Sequence, residues 1–323
     1  MVSGDWVVIA TGRAKRPQEF LKKREPPFQQ PKHTCPFERR SSDAMLLYCL
    51  DSARKKDNWW IQVIPNKFPA FGKGICSVFN HSGPYEWTEG VGFHEVVVTR
   101  DHDRPLARMN DQEAELIIRA YQDRYRAIKD DPCVEYVVIF HNQGRLAGAS
   151  VVHPHSQIIA IPVIPPDVAR SLKGSARYFE EHGTCVHCVI MEYELKEKAR
   201  IVYENERFVA LAPYASKTAF EMRIFPKTHS AHFEEITDDD RMLFANCLRI
   251  SLAKLSKGLK DPDFNFFLHT APTGDSHQFN HYHWHVEILP KTAIWAGFEI
   301  GTGIEISTIT PEKAAQFLRK IKI

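Results

Sequence analysis

What the 323-residue chain lacks narrows its class before any motif is read. No apolar run approaches the length needed to span a membrane. The N-terminus, Met1-Val2-Ser3-Gly4-Asp5-Trp6, has no basic leader followed by an apolar core, so no secretory signal is expected. Formal net charge is only +2 and no long basic run stands out, which argues against bulk binding of nucleic acid. No segment is of low complexity. Cysteine is sparse and odd in number, with seven at Cys35, Cys49, Cys76, Cys133, Cys185, Cys188 and Cys247. That scatter lacks the spacing of a disulfide framework, and a thiol-reducing, cytoplasmic setting is expected. What is present, 43% hydrophobic and 25% charged residues, is the make-up of a globular protein. The length suits two ordinary domains or one large duplicated one.

A duplication is legible in the order of motifs. The first half runs Cys35-Pro36-Phe37-Glu38, then Ile61 to Ala70, then Val96-Val97-Val98-Thr99 leading to His102, a helix, and finally His153 and His155. The second half runs Cys185-Val186-His187-Cys188, then Ile201 to Ala210, then Met222-Arg223-Ile224-Phe225 leading to His229, a helix, and finally His283 and His285. Asn110 with Glu113 forms a capping pattern before Ala114, Ile117, Ile118, Tyr121, Tyr125 and Ile128, which keep to one helical face. Thr237 with Asp240 does the same before Phe244, Cys247, Leu248, Ser251 and Leu255. Tyr136 to Phe140 and Val286 to Leu289 read as strands. Each half is therefore expected to be an antiparallel sheet with one main helix packed on it, an α+β arrangement divided at 1–165 and 166–323. Thr310-Pro311-Glu312 signals a further helix. Residues 163–184, with prolines near their start, read as the joint between halves. The proline- and charge-rich tract 11–34 reads as an arm.

The segment His153-Pro154-His155-Ser156-Gln157 concentrates the chemistry. It follows the glycine-bearing stretch Asn142-Gln143-Gly144-Arg145-Leu146-Ala147-Gly148. In an extended chain, residues two apart share a face, so His153, His155 and Gln157 are expected to point together. A neutral imidazole is a nucleophile near neutral pH and can carry a phosphoryl or nucleotidyl group. The glycines allow backbone N–H groups close to phosphate oxygens, so Gly144 to Ser150, together with Ser156 and Gln157, are expected to supply neutral donors. The rival nucleophile is His285, but Glu287 replaces Gln157 there, and a carboxylate repels phosphate oxygens. Asn66 and Phe68 suggest a nucleotide pocket; the plainer alternative is a turn and a core phenylalanine. Arg13 and Arg16 are candidates for positive charge at the phosphates.

Two metal constellations follow from the repeat. Cys185, Cys188, His229 and His283 make a Cys2His2 set suited to tetrahedral zinc. The first half offers Cys35, Glu38, His102 and His153 in the same order, with a carboxylate where a second thiolate would stand. One or two zinc ions per chain are expected. His187 reads as a bystander, and His141, His232, His269, His277 and His281 as solvated or hydrogen-bonded.

In order along the chain, Cys-x-x-Glu or Cys-x-x-Cys, Asn66-Lys67-Phe68-Pro69-Ala70, Asp101-His102, Asn142-Gln143-Gly144 and His153-Pro154-His155-Ser156-Gln157 resemble the galactose-1-phosphate uridylyltransferase branch of the histidine-triad superfamily. The resemblance extends from Arg13-Ala14-Lys15-Arg16-Pro17 to Gly297-Phe298-Glu299 and the final helix. It implies a duplicated histidine-triad fold. It also implies a nucleophile at His155, a metal ligand at His153 and a phosphoryl contact at Gln157. The implied chemistry is double displacement between a nucleoside diphosphate sugar and a sugar 1-phosphate, or phosphate, with no nucleic acid or membrane as partner and a homodimer as the assembly considered. The tail Gly297 to Gly303 looks more like the shorter, ADP-glucose phosphorylase type. Ala293 and Ile306 stand near positions that carry a basic and a polar residue in uridylyltransferases, while Glu299 remains a candidate for hexose hydroxyls. Against the transferase stand a histidine-triad hydrolase, which passes the adduct to water, and a zinc-stabilised nucleic-acid module, which the near-neutral charge disfavours.

Overall fold

The computed structural model describes residues 2, 4–10, 12, 30–50, 58–76, 79–274 and 276–323. Arg13 and Arg16 lie outside the described residues, as does most of the tract read as an arm. The first half contains β1 (Val7–Ile9), β2 (Leu46–Tyr48), β3 (Ile61–Pro65), β4 (Asn80–Ser82), β5 (Tyr85–Trp87), β6 (Phe93–Thr99), α1 (Asp111–Ile128), β7 (Tyr136–Gln143) and β8 (His155–Ile161). The rest of the chain forms α2 (Pro166–His182), α3 (Val186–Glu197), β9 (Ile201–Glu204), β10 (Phe208–Leu211), β11 (Met222–Pro226), α4 (Asp238–Leu259), β12 (Phe264–His269), β13 (His285–Pro290), α5 (Gly297–Thr302), β14 (Glu305–Ser307) and α6 (Pro311–Arg319).

Ten strands make one antiparallel sheet in the order β2-β3-β6-β8-β7-β12-β13-β11-β10-β9. The order reads as two five-stranded units meeting at β7 and β12, so the duplication is built as a single continuous sheet. Register fixes the faces. Val63, Val97, Ile139, Ile158 and Ala160 of the first unit, and Ile224, Val286 and Ile288 of the second, point into one core under α1 and α4. The expected caps are present: Asn110 accepts the Glu113 N–H while Glu113 accepts that of Asn110, and Thr237 accepts the Asp240 N–H. Thr310 caps α6 as its Thr-Pro-Glu signature predicts. The two main helices are joined across the halves by Gln122 and Arg241 (2.8 Å) and by Arg249 with Asp111 (2.5 Å).

Residues 163–184, read as the joint between halves, are largely helical: Pro166 opens α2, because proline suits the first turn, where its missing N–H costs nothing. Two expectations need correction. The partner of Ile61–Pro65 in the repeat is Phe208–Leu211, not the segment starting at Ile201, since β3 pairs with β6 as β10 pairs with β11. Finally, Cys76 and Cys133 are disulfide-bonded, with Cα atoms 5.2 Å apart. Their sequence separation of 57 hid a pairing that only the fold creates. No helix among the described residues is long and apolar enough to cross a membrane.

Candidate active site

On β8, alternation divides the motif between two environments. Ser156, Ile158 and Ala160 turn toward the helix side, and His155 and Gln157 toward the opposite face. Ser156 is therefore corrected as a substrate contact: its Oγ accepts from Tyr121 (2.5 Å) and meets His141 Nδ1 (3.0 Å), inside the core. His153 does not continue the strand. Pro154 has no N–H to add to the ladder, β8 begins at His155, and the His153 ring is directed to Cys35.

His155 is 9% exposed, and its Nδ1–H donates to the His153 carbonyl (2.8 Å). That bond fixes the tautomer and leaves the Nε2 lone pair free. Burial lowers the imidazole's pKa, with the His153 carbonyl acting in the opposite sense, so the neutral ring is favoured. Gln157 is half-buried, and its Oε1 lies 2.8 Å from His94 Nε2. Nothing in the sequence reading singled out His94. The signal was its parity with Val96 and Val98, which pair with Gln157 and His155. Asn66 joins this group, with Nδ2 2.9 Å from His94 Nε2 and Oδ1 accepting the Phe68 N–H (2.9 Å). Phe68 is 82% exposed, so it is not the core phenylalanine of the plainer alternative.

The glycine loop is less open than expected. The N–H groups of Ala147 and Ala149 donate to Gly144 O, that of Gly148 to Arg145 O, and that of Leu146 to Asp263 (2.8 Å). These four are already engaged. Gly144 (φ 83°, ψ 164°) is required for packing as well as backbone shape, since a Cβ there would lie 2.3 Å from the Asp263 carboxyl carbon. Ser150 is exposed at the end of the loop. Asn142 accepts from Asn265 Nδ2 (2.8 Å), which leaves the Asn142 N–H groups for other partners. Glu299 sits in α5, where it accepts the Ala296 N–H (3.0 Å); among the described residues no contact joins it to His155.

Both expected metal sets are assembled. The donor atoms of Cys35, Glu38, His102 and His153 lie within 4.8 Å of one another, as do those of Cys185, Cys188, His229 and His283. All four histidines are wired alike. Nε2–H donates to a backbone carbonyl, at Gln30 for His102 (2.8 Å), Thr99 for His153 (2.6 Å), Asn280 for His229 (2.9 Å) and Pro226 for His283 (3.0 Å). Every Nδ1 thus faces the cluster as a bare lone pair, the arrangement a cation requires.

The second-half counterpart of the His155 face is filled. His285 repeats the Nδ1–H bond to a carbonyl two residues back (3.0 Å), yet is only 3% exposed. Phe225 stacks on it at 4.9 Å, and His187 of α3 lies over it at 5.3 Å. Glu287 is held by Arg223 (2.7 Å), which stands where the first half has Val96. The bystander His187 is thus part of a helical cover with no counterpart among the described residues of the first half.

The chain is similar to known proteins along its whole length. The family descriptions "Galactose-1-phosphate uridyl transferase, N-terminal domain" and "C-terminal domain" match residues 1–165 and 171–323. A protein of Arabidopsis thaliana named ADP-glucose phosphorylase is 35% identical over 100% of this chain and 92% of its own. A galactose-1-phosphate uridylyltransferase of Thermotoga maritima is 30% identical over 100% of this chain and 97% of its own. The crystal structure of an Arabidopsis thaliana ADP-glucose phosphorylase with bound ADP-glucose superposes with a TM-score of 0.81, at 32% identity, covering 100% of this chain and 97% of that one.

Proposed function

Because the chain belongs to the galactose-1-phosphate uridylyltransferase family, whose members are nucleotidyltransferases, we propose that it transfers a nucleotidyl group through a covalent adduct on His155. The observation that carries this reading is the bond from His155 Nδ1–H to the His153 carbonyl, which directs the lone pair of a neutral ring outward at Nε2. Nε2 attacks the α-phosphorus of a nucleoside diphosphate hexose. The bond from phosphorus to the bridging oxygen breaks, and hexose 1-phosphate leaves with the electron pair. An oxygen of the second phosphorylated substrate then attacks the adduct, and the P–N bond electrons return to the ring. The work left to the protein is positioning and charge stabilisation. Gln157 and Asn142 supply amide N–H groups to the phosphoryl oxygens, Phe68 an aromatic face for the base, and Arg13 and Arg16 positive charge. Ser150 and the backbone at Gly144 and Gly148 line the approach, and Glu299 addresses hexose hydroxyls.

The substrates we assign are UDP-glucose and galactose 1-phosphate. A second reading, adenylyl transfer from ADP-glucose to phosphate, is favoured by the 35% identity to the Arabidopsis thaliana phosphorylase. The donor sets fit zinc in both halves, where it would act as a structural tie through Cys185, Cys188, His229 and His283 and through Cys35, Glu38, His102 and His153. Exposed Trp295, Phe298 and Ile300, with Tyr85 and Trp87 of the β4–β5 hairpin, support a homodimer, which sedimentation of the purified protein tests. Steady-state assays of UDP-glucose with galactose 1-phosphate, against ADP-glucose with phosphate, decide between the two readings. Intact-mass measurement after incubation with either sugar nucleotide alone is expected to reveal one nucleotidyl group, absent in His155→Ala. An adduct that persists in His155→Ala would overturn the assignment, and turnover to water without acceptor would favour a hydrolase.

A further inference from the structure

We propose that His94 is a positioning residue that sets the orientation of the Gln157 amide, an inference that rests on the nucleotidyl-histidine reading. The Ala70 N–H donates to His94 Nδ1 (3.0 Å), so that nitrogen carries no proton. A backbone donor cannot be turned away, and the neutral ring must therefore bear its proton on Nε2. Two side-chain amides close on Nε2, Gln157 at 2.8 Å and Asn66 at 2.9 Å. The Asn66 oxygen accepts the Phe68 N–H and its Nδ2 is turned to the ring, where an N–H donor cannot bond a protonated Nε2, so only Gln157 presents an acceptor to the ring. His94 Nε2–H donates to Gln157 Oε1, and the Gln157 N–H groups are left to face the phosphoryl group.

An amide can hydrogen-bond equally well in either of two orientations, and the reversed one would turn a carbonyl oxygen toward phosphate oxygens. A fixed donor beside it removes that choice. The same imidazole touches Ala70, Asn66 and Gln157, so the segment carrying Phe68 and the strand carrying His155 share one reference point. In the second half the strand register puts Arg223 opposite Glu287, and the carboxylate there is held by charge. The first half achieves its fixation with a neutral ring.

The test is the rate of nucleotidyl-enzyme formation, measured by rapid quench and intact mass with UDP-glucose or ADP-glucose and no acceptor. Gln157→Ala is expected to slow the step by roughly 10²-fold, the loss of one preorganised donor. His94→Phe keeps the bulk without a donor and is expected to slow it by about tenfold or more within the same range. His94→Gln, whose amide N–H reaches the place of Nε2, recovers most of that loss. The double variant His94→Phe with Gln157→Ala is expected to be no slower than Gln157→Ala alone. Losses that multiply in the double variant, or equal rates in His94→Phe and His94→Gln, overturn the proposal. If His94→Phe does not fold, the cycle of His94→Gln with Gln157→Ala gives the same decision: the small loss in His94→Gln must vanish when Gln157 is absent. Failure of the wild type to form any adduct overturns the nucleotidyl-histidine reading itself, whereas an adduct on His155 with multiplying losses overturns only the role of His94.

Discussion

The Asn265 side chain, from the second half of the chain, donates to Asn142 Oδ1 of the first half across 2.8 Å and to Ala147 O across 2.8 Å. With Asp263 accepting the Leu146 N–H, the second half holds the glycine loop that follows β7. Asn265→Ala is expected to lower stability by about 1–2 kcal/mol, the loss of two neutral hydrogen bonds. It should lower kcat/KM for the sugar nucleotide by more than that loss implies, because both the loop and the Asn142 amide are released. Denaturation and steady-state kinetics on the same preparation check this. An unchanged kcat/KM in a destabilised variant would mean that Asn142 needs no fixing.

The duplicated α+β fold and the grouping of the Cys/His sets were legible in the sequence. Cys35, Glu38, His102 and His153 were legible because a repeated order of ligands survives in text, and His155 with Gln157 because a strand has period two. The role of Ser156 was misread, since that same period sends it to Tyr121 on the other face. Helices α2 and α3 were not legible because they have no counterpart among the described residues of the first half, so the repeat carries no sign of them. The asymmetry they create is one of packing: α3 brings His187 over His285. Asn265 left no mark in the sequence because its contacts, to Asn142 and Ala147, are distant along the chain, and His94 showed only in its strand parity with Val96 and Val98.

Glu287 and Arg223 fill the second-half site, and removing one should expose what the pair does. Glu287→Gln leaves a largely buried guanidinium with, among the described residues, only Glu221 (3.3 Å) as a carboxylate partner. A loss of about 3 kcal/mol is expected, typical of breaking a buried ion pair. His285→Ala should form the nucleotidyl adduct at the wild-type rate, because Phe225 and His187 already close over that ring. Chemical denaturation and intact-mass kinetics check the two effects, and loss of the adduct in His285→Ala would move the nucleophile to the second half.

His141 gives stability a pH dependence. It is buried against Phe266, and burial, followed by the nearby His155, lowers its pKa to about 4. The folded value lies below the unfolded one near 6.5, so the unfolded chain binds more protons between them. The contribution is fully present above pH 6.5 and is lost as pH falls toward 4. Its size is at most about 3 kcal/mol, since each tenfold change in proton affinity is worth about 1.4 kcal/mol. Unfolding free energies measured from pH 7 to 4.5 should fall less steeply in His141→Gln than in the wild type. Equal slopes would mean that His141 keeps an ordinary pKa.

Metal removal should separate the two Cys/His sets. Both place four donors together, but one has two thiolates and the other a single thiolate with the Glu38 carboxylate. Thiolate is the softer, stronger partner for zinc, so a chelator is expected to empty the Glu38 set first. Binding to a preassembled site adds to folding free energy, so Cys188→Ser should lower both the zinc content and the melting temperature. Glu38→Cys should do the reverse in the first half, giving it the Cys2His2 composition of the second. In the second half Cys185 is favoured as a thiolate, first by the Cys188 thiol, against the cost of burial. Zinc content by atomic emission after graded chelation, paired with thermal melts, follows both sets. If Glu38→Cys holds zinc no better than the wild type, Glu38 is not a ligand, and its 3.1 Å contact with His102 Nδ1 is a hydrogen bond from a neutral carboxyl or a protonated ring instead.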